Sequence, residues 1–303
     1  MFIDNLIDKI KEKETPVICG LDPNIELIPK KFIHNLYGNK SLTVSEKANL
    51  FLAYNKLIIY EVHDLVPAIK PQIAYYEALG IEGIKCLMET IKYAKSKDLL
   101  VILDAKRNDI GSTSEAYANA FLSGKESKDF ESDCMTLIPY MGYDSMSPFF
   151  KTCLQHKKGV FVCVKTSNPG SADIQNLKTD PSSGSGGKFI YEIVAEMVNK
   201  ESQKHIGKYG YSNIGAVVGA TFPAEALALR KVMPNSFFLV PGLGSQGGDI
   251  NMVLSFFNED KKGAVINFSR AMMYPDIIGD DIGKSIRFNA KKIIAEVSQA
   301  MNY

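Results

Sequence analysis

Five apolar residues, Leu99 to Leu103, run directly into Asp104-Ala105-Lys106-Arg107-Asn108-Asp109-Ile110-Gly111-Ser112-Thr113. Two acids and a base at the carboxyl end of a buried strand lose hydration, and only close pairing with opposite charge offsets that loss. Asp104 and Lys106 are two residues apart, so in a strand their side chains share one face. Asp109 follows where the strand gives way to a loop, and Gly111 and Ser112 open the next helical pattern. A carboxylate beside an ammonium group in that setting can stabilise charge or move a proton. A salt-bridged strand end that only caps a loop would use the same residue types.

These residues need a frame, and the rest of the chain supplies one. Apolar, β-branched runs at 16–21, 66–70, 99–104, 133–138, 159–165, 214–219, 236–241 and 264–268 read as strands. Amphipathic segments at 45–63, 81–95, 112–122, 145–155, 188–204, 223–232, 248–257 and 283–301 alternate with them. Eight βα units predict a (β/α)8 TIM barrel, with residues 1–303 as one domain. A doubly wound open sheet is the competing architecture, but it usually carries a Gly-rich phosphate turn after its first strand. Here that turn is Gly20-Leu21-Asp22-Pro23. Met1 to Ile10 is amphipathic and carries acids, and reads as an additional N-terminal helix covering a core rather than a signal peptide. Two loop insertions interrupt the rhythm, at 24–43 and at 167–187. The second holds Pro181-Ser182-Ser183-Gly184-Ser185-Gly186-Gly187, a flexible composition suited to an inert insertion or to a lid beside a site.

In a barrel the carboxyl ends of the strands carry the chemistry. The first strand ends at Asp22, the second at Lys70 with Gln72 following, and the third supplies Asp104, Lys106 and Asp109. The fifth ends in Lys165-Thr166-Ser167-Asn168, the seventh in Pro241-Gly242-Leu243-Gly244-Ser245-Gln246, and the eighth in Asn267-Phe268-Ser269-Arg270. Singly, each suits an ordinary solvated loop. Together they converge on one rim, where Lys70, Lys106 and Arg270 answer Asp22, Asp104 and Asp109. The seventh and eighth βα loops of barrels often hold a phosphate. Pro241-Gly242-Leu243-Gly244 lets backbone N–H groups approach an anion, and Arg270 can clamp it with a fork of donors.

Composition narrows the classes. The 303 residues are 46% hydrophobic, ample for a core, and the net charge of +1 argues for no nucleic-acid or membrane surface. No apolar run approaches bilayer length. Cys19, Cys86, Cys134, Cys153 and Cys163 lack metal-type spacing and fit a reducing cytoplasm. The four histidines are scattered, no Walker A sequence is present, and no GxGxxG turn follows the first strand.

The motif Asp104-x-Lys106-x-x-Asp109-Ile110-x-x-Thr113 resembles the orotidine 5′-phosphate decarboxylases, in particular their longer, type 2 subgroup. Gly20-Leu21-Asp22-Pro23, Lys70, Val164-Lys165-Thr166-Ser167-Asn168-Pro169, Pro241-Gly242-x-Gly244-x-Gln246 and Arg270 extend the resemblance over essentially the whole chain. It implies that Asp22 and Lys70 contact ribose hydroxyls and that Lys70 also pairs with Asp104. Asp104 is then set against the substrate carboxylate, and Lys106 delivers a proton to C6. Asp109, Ile110 and Thr113 are implied to reach across a homodimer interface into the partner's site. Ser167 is implied to recognise the pyrimidine edge, and Gln246 and Arg270 to hold the phosphate beside Pro241. Gln72 matches a position that is a polar amide in some relatives. Ser269 stands where the family usually has Gly, with its backbone N–H available to the phosphate.

The implied reaction converts orotidine 5′-monophosphate to uridine 5′-monophosphate (UMP) and CO2 without metal or organic cofactor, the last step of de novo pyrimidine nucleotide synthesis. A sister group shares the Asp-x-Lys-x-x-Asp pattern but works on sugar phosphates with Mg2+, using a Glu at the end of the second strand. Lys70 takes that place here, and a cation disfavours a metal. A third reading is a non-catalytic barrel that binds a phosphate ligand. Such a module has no use for a buried carboxylate facing its ligand.

Overall fold

The computed structural model describes residues 1–243, 249–278 and 280–301. Eight parallel strands pair in chain order and the eighth closes on the first: β1 (Val17–Leu21), β2 (Ala68–Pro71), β3 (Leu100–Arg107), β4 (Cys134–Leu137), β5 (Gly159–Lys165), β6 (Ser212–Val218), β7 (Ser236–Pro241) and β8 (Ala264–Phe268). The expected (β/α)8 barrel is therefore the fold. Alternation along each strand builds two cores. Val17, Cys19, Val101, Leu103 and Met135 face outward to the helices. Ile18, Ala68, Ile102, Cys134, Phe161, Val217, Phe237, Leu239 and Val265 fill the interior.

The helix Phe2–Lys13 plugs the amino end of the barrel, as its amphipathic pattern predicts. Phe2, Ile3, Leu6 and Ile7 join the interior core, and the Phe2 ring meets Phe161 edge-on at 6.4 Å. At the carboxyl end the interior changes character. One residue pair further along, the inward positions become Lys70, Asp104, Thr136 and Asn267, all buried. The site is thus a polar layer resting on a packed apolar one.

Several elements differ from expectation for local reasons. The helix expected over 248–257 is a 3-10 helix at Ile250–Phe256, and residue 248 lies outside the described residues. Ile250, Val253 and Phe256 pack inward at a period of three, which suits the tighter helix, and Asp249 caps it by accepting from the Asn251 N–H. The helix expected over 112–122 runs from Gly111 to Ala118, then widens into a π turn at Asn119–Ser123. The insertion at 24–43 contains a helix, Lys30–Tyr37, and the 167–187 segment holds short helices at Pro169–Ser171 and Ala172–Gln175. The long helix Val44–Val62 starts at a capping box in which Thr43 and Glu46 exchange hydrogen bonds.

Two register slips re-aim side chains at the rim. Along β5 and β6, Cys163 opposes Val217 but Lys165 opposes Val218, so β5 carries one extra residue. Lys165 leaves the interior as a result. Its Nζ donates to Asn176 Oδ1 at 2.6 Å and lies 4.3 Å over the Phe222 ring, so the rim charge expected at this strand end is absent from the cavity. Along β3 and β4, Leu103 opposes Met135 and Arg107 opposes Leu137, a slip centred on Asp104 to Lys106.

At the closure of β8 on β1, Gly20 has no room for a side chain. A Cβ there would overlap Ser269 Oγ and come within 2.9 Å of Asn267 Oδ1. Gly20→Ala is expected to destabilise the barrel by about 1–3 kcal/mol, the usual range for overpacking. Adding Ser269→Gly should recover most of that loss, as read by urea unfolding. Equal stability of the single and double variants would show that the collision lies elsewhere.

Candidate active site

Asp104 is the hub. Its Oδ2 accepts from Lys70 Nζ at 2.8 Å, and its Oδ1 accepts from Lys106 Nζ at 2.6 Å and from Thr136 Oγ1 at 2.9 Å. The side chains differ in exposure: 4% for Lys70, 10% for Asp104 and 43% for Lys106. Burial by itself would raise the Asp104 pKa, but the two ammonium groups outweigh it and hold the carboxyl far below the ordinary range. Lys70 is the mirror case. Burial opposes its charge, yet Asp104 and then Asp22 raise its pKa above the usual lysine value. Asp104 and Lys70 thus hold each other in their ionised forms.

Backbone geometry puts Lys106 in place. Its φ is +46°, the left-handed region that a lysine visits at a cost of about 1–3 kcal/mol. The residue sits at the β3 slip, and its N–H donates to Thr136 Oγ1 at 2.9 Å. Asp104 and Lys106 do meet on one side, but through a bulge rather than through plain strand alternation. Thr136 serves both partners and was not singled out from the sequence. It is the one polar residue in the apolar strand Cys134–Leu137, and its inward parity was the available signal.

A cavity of about 430 Å³ opens above this trio. Asp22, Lys70, Gln72, Asp104, Lys106, Ser167, Pro241 and Ser269 line it, so most of the expected rim converges. Larger depressions of about 470 and 690 Å³ occur elsewhere, but neither includes a member of the charged trio. Asp22 Oδ1 is buried without a hydrogen-bond partner among the described residues, an acceptor open to a hydroxyl donor. Gln72 caps the helix Ile73–Glu77 through its Oε1, which accepts from Ala74 N at 3.4 Å. Ser269 Oγ accepts from Asn267 Nδ2 at 3.0 Å. Asn267, at the end of β8, lines the cavity with its Oδ1 unpartnered among the described residues. Cys163 lies on the cavity floor, its thiol pushed up to about 12 by burial, and is therefore a weak nucleophile.

Asp109, Ile110, Thr113 and Arg270 do not line the cavity within one chain. Asp109 shapes the turn into the helix Gly111–Ala118, accepting from the Ile110 N–H at 2.7 Å. Ile110 is 57% exposed, and Thr113 and Arg270 are also exposed. Gln246, and Gly244 of the phosphate turn, lie outside the described residues.

A closed parallel barrel with a buried Lys70-Asp104 pair joined by a half-exposed Lys106 at its carboxyl-end mouth defines a (β/α)8-barrel enzyme. Residues 44–274 match the profile of the orotidine 5′-phosphate decarboxylase / HUMPS family, more than half of the chain, and the protein belongs to that family. An orotidine 5′-phosphate decarboxylase of Caldicellulosiruptor bescii is 40% identical over 308 aligned residues, covering 99% of each chain. One from Rhodopirellula baltica is 42% identical over 264 residues, covering 85% of this chain and 83% of its own. Among solved structures, the Leishmania donovani orotidine monophosphate decarboxylase matches with a TM-score of 0.75 and 30% identity, covering 100% of this chain and 99% of its own. A putative orotidine 5′-phosphate decarboxylase from Streptomyces avermitilis gives 0.82 at 28% identity, over 100% and 96%.

The trio links stability to acidity. The folded pKa of Asp104 lies below its unfolded value of about 3.9. Its contribution is therefore fully present above that pH and lost as pH falls toward the folded value. Asp104→Asn is expected to lower unfolding stability near neutral pH by about 3 kcal/mol, because it strands the buried Lys70 charge. The gap from wild type should narrow below pH about 4 in denaturant titrations. A gap independent of pH would mean that the carboxylate charge is not what stabilises the site.

Proposed function

We propose that the Lys70-Asp104-Lys106 trio carries out the family's reaction, with Lys106 as proton donor to C6 and Asp104 as the electrostatic element. The chain is a carboxy-lyase that converts orotidine 5′-monophosphate to UMP and CO2. Loss of CO2 breaks the C6–carboxyl bond and leaves its electron pair on C6, with no evident sink in the ring. A cation fixed beside C6 stabilises that charge, and an N–H of the same cation then supplies the proton. Lys106 suits both tasks: it is tethered to Asp104 at 2.6 Å yet is half exposed at the cavity floor. The neutral amine left behind regains its proton from water.

Asp104 cannot relieve a neighbouring substrate carboxylate by taking up a proton, because two ammonium groups keep it ionised. Two charges about 4 Å apart repel by roughly 4 kcal/mol at an effective dielectric of about 20. The most proficient enzymes lower barriers by about 23 kcal/mol. Repulsion is therefore a minor share. Carbanion stabilisation and binding energy from the remote phosphate supply the larger part. In this reading Asp22, with its open acceptor, and Lys70 take the ribose hydroxyls, and Ser167 and Gln72 face the pyrimidine. Pro241, Gln246, Ser269 and Arg270 hold the phosphate. Asp109, Ile110 and Thr113, grouped at an exposed helix start, complete the site of a second subunit. Residues 1–303 act as one domain. The five cysteines are free and buried, in keeping with a reducing, cytoplasmic setting. No helix among the described residues is long and apolar enough to cross a membrane.

The single observation that carries this reading is the buried ammonium of Lys70 against Asp104. The Mg2+-dependent alternative needs a carboxylate at that spot, and a divalent cation there would meet a fixed positive charge. Lys106→Ala should cut kcat by about 10³-fold or more while UMP affinity changes by less than about tenfold. The fall in ultraviolet absorbance on turnover reads the first and calorimetry the second. Wild-type turnover should survive EDTA. Retention of a tenth of the activity in Lys106→Ala, or its loss in EDTA, would sink the mechanism.

The shared site has its own test. Mixing inactive Lys106→Ala with inactive Asp109→Ala protein and allowing subunits to exchange should restore about a quarter of wild-type activity. Half of the dimers are then mixed, and each mixed dimer holds one intact site. No recovery would place Asp109 in its own subunit's chemistry.

A further inference from the structure

We infer that Tyr274 is a positioning residue for the substrate site, its phenol fastening the main chain of Asp22 so that the ends of β1 and β8 form one unit. The inference rests on the proposed roles of Asp22 and Arg270.

Asp22 Oδ1 is buried without a hydrogen-bond partner among the described residues. Its peptide is gripped from both sides by residues that follow β8. The Asp22 N–H donates to Met273 Sδ at 3.0 Å, and the Tyr274 hydroxyl donates to the Asp22 carbonyl oxygen at 3.2 Å. The same hydroxyl accepts from the Asn24 N–H at 2.7 Å. Both partners of the phenol therefore belong to the Asp22 turn. Met273 and Tyr274 close the short helix that begins at Arg270, and the Tyr274 N–H donates to the Arg270 carbonyl at 3.0 Å. The turn that carries the proposed ribose acid is thus anchored to the helix that carries the proposed phosphate base.

The anchor is itself braced. The Tyr274 ring stacks on Tyr54 at 5.8 Å with 13° between planes, and the Tyr54 hydroxyl donates to the Met273 carbonyl. Phe32, from the helix Lys30–Tyr37, meets Tyr54 edge-on at 5.2 Å. The insertion at 24–43 supplies that brace. Burial raises the Tyr274 pKa well beyond the ordinary phenol value, so the hydroxyl stays a donor at any working pH. A phenylalanine would fill the same space, and the links to Asp22 and Asn24 in the Asp22 turn are what require the oxygen.

Tyr274→Phe removes that oxygen and keeps the ring. KM for orotidine 5′-monophosphate and Kd for UMP are expected to rise together by about fivefold to tenfold, the scale of losing the phenol's two hydrogen bonds to the Asp22 turn, with a smaller effect on kcat. In an Asp22→Ala background the same change should add less than twofold, because a residue acting through Asp22 has nothing left to position. Met273→Leu, which removes the sulfur acceptor at similar volume, should show the same pattern at smaller size and covers the case of a poorly folding Tyr274→Phe. Additive losses in the Asp22→Ala background, or unchanged KM and Kd in both variants, would overturn the inference. Wild-type turnover alongside additive losses overturns the inference alone. Wild-type protein that fails to bind UMP overturns the functional reading with it.

Discussion

Asp104 sits where burial alone would drive it to protonate, and two lysines keep it charged. Much of the site's geometry answers to that pairing. Lys70 tolerates near-complete burial because Asp104 and Asp22 lie beside it. Lys106 accepts a left-handed backbone because the bulge that imposes it also delivers the ammonium group to Asp104 and the N–H to Thr136. A buried ion pair is weak evidence for stability, since desolvation consumes most of its attraction. Its value here is preorganisation. The charges are set before any ligand arrives, so reorganisation is not added to the barrier.

The barrel makes such a charge layer tolerable. Beneath it lies a closed apolar interior, plugged from the amino end by Phe2, Ile3, Leu6 and Ile7. Around it the strand backbones satisfy one another without an edge. The polar layer opens to the cavity above it. The two insertions brace that mouth at its base. Phe32 supports Tyr54, and Gln175 holds the β5 end by accepting from the Thr166 N–H at 3.0 Å and donating to its hydroxyl at 2.8 Å.

Much of this was legible residue by residue. All eight strands lie where apolar, β-branched runs announced them, because a strand buried on both faces has to be apolar along its length. Helices that pack on the sheet show their faces at the helical period, as Val44–Val62 does. Elements whose contacts are irregular were less visible. The short helices at Lys30–Tyr37 and Ala172–Gln175 have no long apolar stripe, and Ile250–Phe256 adopts a period of three set by the groove it fills. Thr136 and Asn267 went unassigned because a single polar residue in a strand carries no label until its neighbours across the barrel are known.

The sequence by itself determined the repeating βα order, the parity that sends Asp104 inward, and the supply of opposite charges at the strand ends. These are local properties, readable from spacing and residue type. The tertiary structure alone decided which charges meet. One extra residue in β5 turned Lys165 out of the interior, and a slip in β3 brought Lys106 onto Asp104. Register depends on how neighbouring strands seat against each other, and that balance belongs to the closed barrel rather than to any one segment.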